Sequence, residues 1–329
     1  MIMKPLCSTE HSGFFWFMSG FFWFMTRLWY AKPQPSSLLL PKEEPMPRTA
    51  VVAERMTDAT TADGLREHRE DRAALLASLT ASLQADPRVS AVWFHGSFGR
   101  GEADDLSDLD LWVAVSDLAA SEADAMLCGH AVLAGNLIGA KRSPHIAPPG
   151  GGFLASRHEG RCGYLGIDWS WQPQSALTLP AEVTVLIERD GQDVPMAVPP
   201  LPVVKLDRDI VESPVEGGLW FAWLMIGVTA KYLARDPQSD MALMLYPRPA
   251  LEDVVALLGQ QDALLPIDWS VPEKPLDKLE RLRGLARAVA EAADAARAQG
   301  YSFSPRYLPY LFRYLDMVKG ILKDAASTR

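Results

Sequence analysis

Asp108 and Asp110 stand two residues apart at the head of the segment DLDLWVAV, and a third acid, Asp168, sits between Ile167 and Trp169 in the later segment CGYLGIDWSW. Side chains alternate along a strand, so Asp108 and Asp110 share one face, opposite Leu109, Leu111, Val113 and Val115. An arbitrary pair of acids at this spacing is most simply a solvated sheet edge. Here the apolar opposite face argues for a strand with one side in a core. Three carboxylates converging on the other side would repel one another unless cations neutralised them, and hard oxygen ligands of this kind suit Mg²⁺, usually shared with substrate phosphates. Asp108, Asp110 and Asp168 are therefore the expected metal ligands. Gly96 and Ser97, in the turn GSFGRG, supply the complementary half: a glycine permits close backbone approach, and a hydroxyl with exposed N–H groups at a helix start can bind phosphate oxygens.

The elements that must position these residues follow from the hydrophobic pattern. Leu75, Leu76, Leu79 and Leu83 recur at helical spacing between about Leu65 and Asp86, where Asp86-Pro87 ends the run. Val89 to His95 is rich in β-branched and aromatic residues and predicts a buried strand leading into the glycine turn. Leu109 to Val115 predicts the strand that carries the acids, and a helix is expected from Ser121 to Ala134. The stretch Lys141 to Arg161, rich in glycine, proline and basic residues, is expected to be a long loop. It is either a plain connection or a mobile cover that brings Arg142, Arg157 or Arg161 to a bound triphosphate. CGYLGIDWSW and EVTVLIERD predict two further strands. From about Val215 the pattern turns helical. GLWFAWLMIGVTAKYLARD is apolar nearly all round and predicts a helix buried among others. LDKLERLRGLARAVAEAADAARAQG closes at Gly300, and a last helix is expected to start with Ser304 as N-cap and Pro305 in its first position.

At these residues the chain resembles the DNA polymerase β-like nucleotidyltransferase superfamily. Its pattern is a hydrophobic residue, a glycine and a glycine or serine, then a spacer, then two acids alternating with hydrophobic residues. Here it reads FHGSFGRGEADDLSDLDLWV, with ten residues between Ser97 and Asp108. The resemblance implies an α+β fold: a nucleotidyltransferase domain with a mixed sheet flanked by helices, over residues 59–204, followed by a helical substrate-binding bundle over 205–329. It implies two Mg²⁺ ions on Asp108 and Asp110, and ATP or another nucleoside triphosphate against Gly96, Ser97 and Arg100. It further implies that Asp168 serves as metal ligand, general base, or both. The order of an α/β domain and a helical domain is most similar to antibiotic nucleotidyltransferases of the aminoglycoside adenylyltransferase type. In such proteins a helical-domain lysine reaches the triphosphate, a role that falls here on Lys231. Three residues keep two readings each. Arg100 is a phosphate contact or a surface arginine, Lys231 a phosphate contact or a lysine whose ammonium reaches solvent from a buried helix, and Ser107 a cap or an orienting group for the acid loop. His95 is expected to be a packed residue.

The implied activity is transfer of a nucleoside monophosphate, AMP from ATP, to a hydroxyl of a small molecule such as an aminoglycoside, with release of pyrophosphate. The alternatives are transfer to a protein or RNA hydroxyl, and a catalytically idle nucleotide-binding module. Forty-one acids against 32 bases give the 329-residue chain a net charge of −9, which disfavours a nucleic-acid partner. Its 48% hydrophobic residues are enough to bury a core, and three cysteines without a CxxC pair indicate neither a disulfide framework nor a zinc site. A cytoplasmic location fits that cysteine usage. Residues 1–58 are expected to lie outside the fold. They contain SGFFWFM twice in succession, at 12–18 and 19–25, and then a proline-rich stretch. The apolar run is thirteen residues, short of the roughly 20 that span a bilayer. One reading is that translation begins at Met56, and another that the repeat is a weak membrane or partner anchor.

Overall fold

A computed structural model describes residues 61–189, 201–202, 213–238, 247–260, 270–304 and 306–327. The expectations for residues 1–58 and for Pro305 fall outside them. All the described residues belong to one compact unit, Glu54–Arg329.

The fold is α+β, with one six-stranded mixed sheet and seven α-helices among the described residues. Helix α1 (Thr61–Gln84) presents Leu75, Leu79 and Leu83 to the interior at four-residue intervals. Strand β1 (Val89–Phe94) runs into α2 (Gly96–Gly99), a single turn, and β2 (Leu109–Val115) returns antiparallel to β1. A 3₁₀ turn (Asp117–Glu122) precedes α3 (Ala123–Ala134). Then come β3 (Leu137–Arg142), β4 (Gly152–Gly160), β5 (Gly163–Pro173) and β6 (Thr184–Glu188), and the sheet order is β3-β4-β5-β2-β1-β6. Among the described strands, only β2 and β5 pair in parallel. Helices α4 (Pro214–Arg235), α5 (Pro247–Leu257), α6 (Pro275–Ala298) and α7 (Tyr307–Ser327) follow.

The stretch from Lys141 to Arg161 is not a loop. It is largely an antiparallel hairpin, β3 and β4, in which Lys141 pairs with Ala155 and Gly139 with Arg157. Its prolines and glycines gather in the connection between the strands, from Pro144 to Gly152, with Gly160 at the far end of β4, and such residues are at home in turns. None of its arginines is held out as a cover. Arg142 pairs with Asp124, Arg157 with Asp168 at 2.8 Å, and Arg161 with Asp71 at 2.7 Å and Glu70 at 2.9 Å.

The sheet separates two cores. On one side Leu109, Leu111, Val113, Leu165, Ile167 and Trp169 pack against α1 and α3. On the other side, residues of β5 meet the helical segment, where Tyr164 packs against Trp223 of α4 (5.0 Å between ring centroids) and Tyr314 of α7 (5.1 Å). Ser213 caps α4 by accepting the Glu216 N–H at 3.2 Å, with Pro214 in the first turn, and the apolar circumference of that helix is buried against the sheet, α5, α6 and α7. No described helix is long and apolar enough to cross a membrane.

Candidate active site

The parallel register of β2 and β5 sets Asp110 opposite Asp168 and Leu109 opposite Ile167. Asp108, one step before β2, lies on the same face as Asp110. A Cβ on Gly166 would come 2.8 Å from Asp108 Oδ1, so β5 makes room for that carboxylate by carrying a glycine there. The three acids named from sequence thus meet on the sheet face that looks toward α4.

Two cations answer them. Lys231 Nζ on α4 donates to Asp108 Oδ2 at 2.5 Å, and Arg157 Nη1 on β4 donates to Asp168 Oδ1 at 2.8 Å. Burial alone would raise the Asp108 pKa, but the Lys231 ammonium and the Arg157 guanidinium outweigh it and hold that carboxyl below its usual range. The same balance raises Lys231, whose loss of hydration is overcome by Asp108. Asp110 differs. Burial, then the neighbouring charges of Asp168 and Asp108, push its pKa up to about 8. Three carboxylates face two cations, and Asp110 is the one left without its own. As the side chains stand, no three acidic, histidine or cysteine residues among the described ones are grouped to hold a metal ion. The donor set nevertheless fits one. Asp110 is a buried oxygen ligand short of a positive charge, and Asp108 and Asp168 each have one oxygen in an ion pair and a second beside it.

Gly96 begins the α2 turn with φ +62°, and a Cβ there would sit 2.1 Å from Asp110 Oδ2. The His95 N–H donates to the Asp110 carbonyl at 3.0 Å, which brings the turn against β2. Gly96 and Ser97 are therefore beside the acids, as the sequence led us to expect. The helix that follows is only one turn, too short for a sizeable macrodipole, so anion binding here would rest on the N–H groups of the turn itself. Arg100 is exposed and pairs with Glu102 at 2.7 Å, in keeping with a surface arginine. Lys231 lies 14% exposed in its ion pair, so it is not a lysine reaching out to solvent. His95 is packed edge-on to Trp112, and burial lowers its pKa.

No protein-family model and no curated protein matches the chain.

Arg157, and Arg72 and Arg235, which clamp the acid loop, were not assigned these roles from sequence. Arg72 of α1 donates to the carbonyls of Asp104 and Ser107, both at 2.8 Å, and Arg235 of α4 forks onto Asp104 at 2.6 and 2.7 Å. Ser107 donates to Asp104 at 2.8 Å and accepts from Arg235 at 3.2 Å, so it orients the loop ahead of Asp108. Arg157 is only 4% exposed and its Nε has no partner. Removing it would leave Asp168 beside Asp110 with no guanidinium. Arg157→Ala is therefore expected to lower unfolding stability by about 3–5 kcal/mol, the range for breaking one side of a buried ion pair, measured by urea unfolding at neutral pH. A loss below about 1 kcal/mol would mean that Arg157 does not hold Asp168.

Proposed function

We propose that the chain is a Mg²⁺-dependent nucleotidyltransferase that moves a nucleoside monophosphate, AMP from ATP, onto a hydroxyl of a small molecule and releases pyrophosphate. The observation that carries this reading is the set of acids itself: Asp108, Asp110 and Asp168 on one sheet face, three carboxyl groups against the two cations Lys231 and Arg157, with the Gly96 turn pressed against Asp110. That is the charge pattern a site needs if cation and phosphate are to enter together.

Mg²⁺ held by Asp108, Asp110 and Asp168 would stabilise the attacking and leaving oxygens of an in-line displacement at the α-phosphorus. The chain's own groups do the rest. The N–H groups at Gly96 and Ser97 bind the β- and γ-phosphates, and Lys231 adds a donor from the helical side. Asp168, 27% exposed, accepts the proton of the acceptor hydroxyl as its oxygen bonds to phosphorus, while the bond from phosphorus to the bridging oxygen breaks and pyrophosphate leaves with that electron pair. Arg157 fixes the direction in which Asp168 faces.

The test is pyrophosphate release from ATP, GTP, CTP and UTP with Mg²⁺ against a panel of aminoglycosides and lincosamides. Acceptor-dependent release identifies donor and acceptor together. Silence with every acceptor while Mg·ATP still binds would move the acceptor to another class, and failure to bind any nucleotide would end the proposal. The loop clamp gives a graded check. Arg235→Lys keeps the charge but loses the two-pronged contact to Asp104, and is expected to lower kcat about 10- to 100-fold with little change in nucleotide KM. Unchanged kcat would show that the loop does not position Asp108.

A further inference from the structure

Lys231 is bonded to Asp108, one of the three acids that would hold Mg²⁺, and a lysine held there is not free to serve a triphosphate. Its ammonium donates to Asp108 Oδ2 at 2.5 Å, which is its only hydrogen bond among the described residues. Its charge is felt at Asp110 too, where it opposes the burial and the neighbouring acids that raise that carboxyl. In the unloaded site the ammonium therefore does for two acids part of what a metal ion would do.

The second cation is built differently. Arg157 is 4% exposed, and the Nη1 that donates to Asp168 also donates to the Ser156 carbonyl at 2.9 Å, so the guanidinium is pinned to its own strand. Lys231 hangs from α4 on a four-carbon stem, with no planar fork to fix its direction, and keeps 14% of its side chain exposed. Helix α4 has other ties: Arg235 forks onto Asp104 at 2.6 and 2.7 Å, and Trp223 packs on Tyr164 of β5. The ammonium can leave Asp108 without the helix leaving the sheet.

Charge decides when it leaves. Even with all three carboxyl groups ionised, one Mg²⁺ added to Lys231 and Arg157 leaves an excess of positive charge, and in a buried site such an excess is weakly screened. Free metal therefore has to push Lys231 aside, with no anion present to receive it. A nucleoside triphosphate brings that anion, and charge-assisted hydrogen bonds from an ammonium to phosphate oxygens are strong.

We propose that Lys231 makes the site select a metal–triphosphate complex over free metal: it occupies the cation position on Asp108 while the site is empty, and passes to a phosphate oxygen when Mg²⁺ and nucleotide enter together. This rests on the nucleotidyltransferase reading and adds to it a rule of entry. Arg157 stays on Asp168 throughout, so only one of the two ion pairs is exchanged.

The experiment is calorimetric titration of the full chain with MgCl₂ alone and with Mg·ATP, at about pH 8.5, where Asp110 in the unloaded wild type has largely lost its proton. Wild type is compared with Lys231→Met and Lys231→Gln, which remove the charge, and with Lys231→Arg, which keeps it. In the two neutral variants one Mg²⁺ and Arg157 together balance three carboxylates. Free Mg²⁺ should bind them about tenfold or more tighter than wild type, and Mg·ATP about tenfold or more weaker, the size of an ordinary coupling between two ligands. Lys231→Arg should bind free Mg²⁺ no tighter than wild type. A lysine that only holds the fold together would give losses on both titrations, so the gain in metal affinity is the distinguishing result. Three outcomes overturn the proposal: neutral variants that bind free Mg²⁺ no tighter than wild type, neutral variants that bind Mg·ATP as well as wild type, or, with no variant needed, a wild type that binds free Mg²⁺ as tightly as Mg·ATP. If no form of the protein binds Mg·ATP while the neutral variants still gain free Mg²⁺, the nucleotidyltransferase reading falls instead, so the two failures are distinct.

Discussion

Asp110→Asn will abolish metal-dependent pyrophosphate release and, in the same protein, raise the melting temperature at pH 8. The two effects share one cause. Asp110 is the carboxylate that burial and its neighbours Asp168 and Asp108 make hardest to ionise, with a pKa pushed up to about 8. In the unfolded chain it titrates near the ordinary aspartate value of 3.8. Between about pH 4 and pH 8 the folded protein therefore keeps a proton that the unfolded chain has released, and stability falls as pH rises through that window. Asparagine cannot ionise, so the variant escapes the penalty. Its advantage should be absent near pH 4, grow through the window, and reach about 2 kcal/mol at pH 8, roughly 5 °C in melting temperature for a chain of this size. The activity moves the other way. A neutral amide is a poor ligand for Mg²⁺, and losing several kcal/mol of charge stabilisation corresponds to about a thousandfold or more in rate. Thermal melts in EDTA at pH 5 and pH 8, together with a pyrophosphate assay, check both halves. A variant that retains activity removes Asp110 from the site, and a melting temperature that does not rise between the two pH values relative to wild type removes the crowding argument.

What the sequence made legible was local. The period of two in LDLWVAV, the glycine turn ten residues ahead of Asp108 and the leucine spacing of α1 each lie within one element, and the structure has all of them. Asp168 was also legible, because β5 carries its apolar pattern on the face opposite the acid. The hairpin of β3 and β4 was not. Along β4 the core-facing positions include Ser156 and His158, fully buried polar residues that bond to each other at 3.2 Å, with Trp169 Nε1 donating to Ser156 at 2.9 Å. The opposite face carries Arg157, buried against Asp168. Neither face reads as apolar, so the alternation that betrays a strand is hidden, and the Pro-Pro-Gly turn beside it suggests a loop. The ion pair of Lys231 with Asp108 spans 123 residues and that of Arg235 with Asp104 spans 131. Such pairings follow from how α4 lies on the sheet, and no local pattern encodes them. The sequence could name the acids, but their counter-charges became visible only with the packing.

Gly96→Ala is expected to lose activity about a hundredfold or more, and Gly101→Ala to lose almost none. Both glycines have positive φ, +62° and +71°, so an alanine is strained at either position by about 1 kcal/mol. They differ in what the new methyl group meets. At Gly101 there is nothing within 4 Å, whereas at Gly96 the methyl would lie 2.1 Å from Asp110 Oδ2 and 2.9 Å from its Cγ. The carboxylate has to turn away, and the space around it is taken by Asp168 and Asp108, so it turns out of the position from which it would hold a cation. Urea unfolding should therefore find the two variants within about 1 kcal/mol of each other while the pyrophosphate assay separates them widely. Equal activity in the two variants would show that backbone strain in the turn, and not contact with Asp110, is what the chain uses glycine here to avoid.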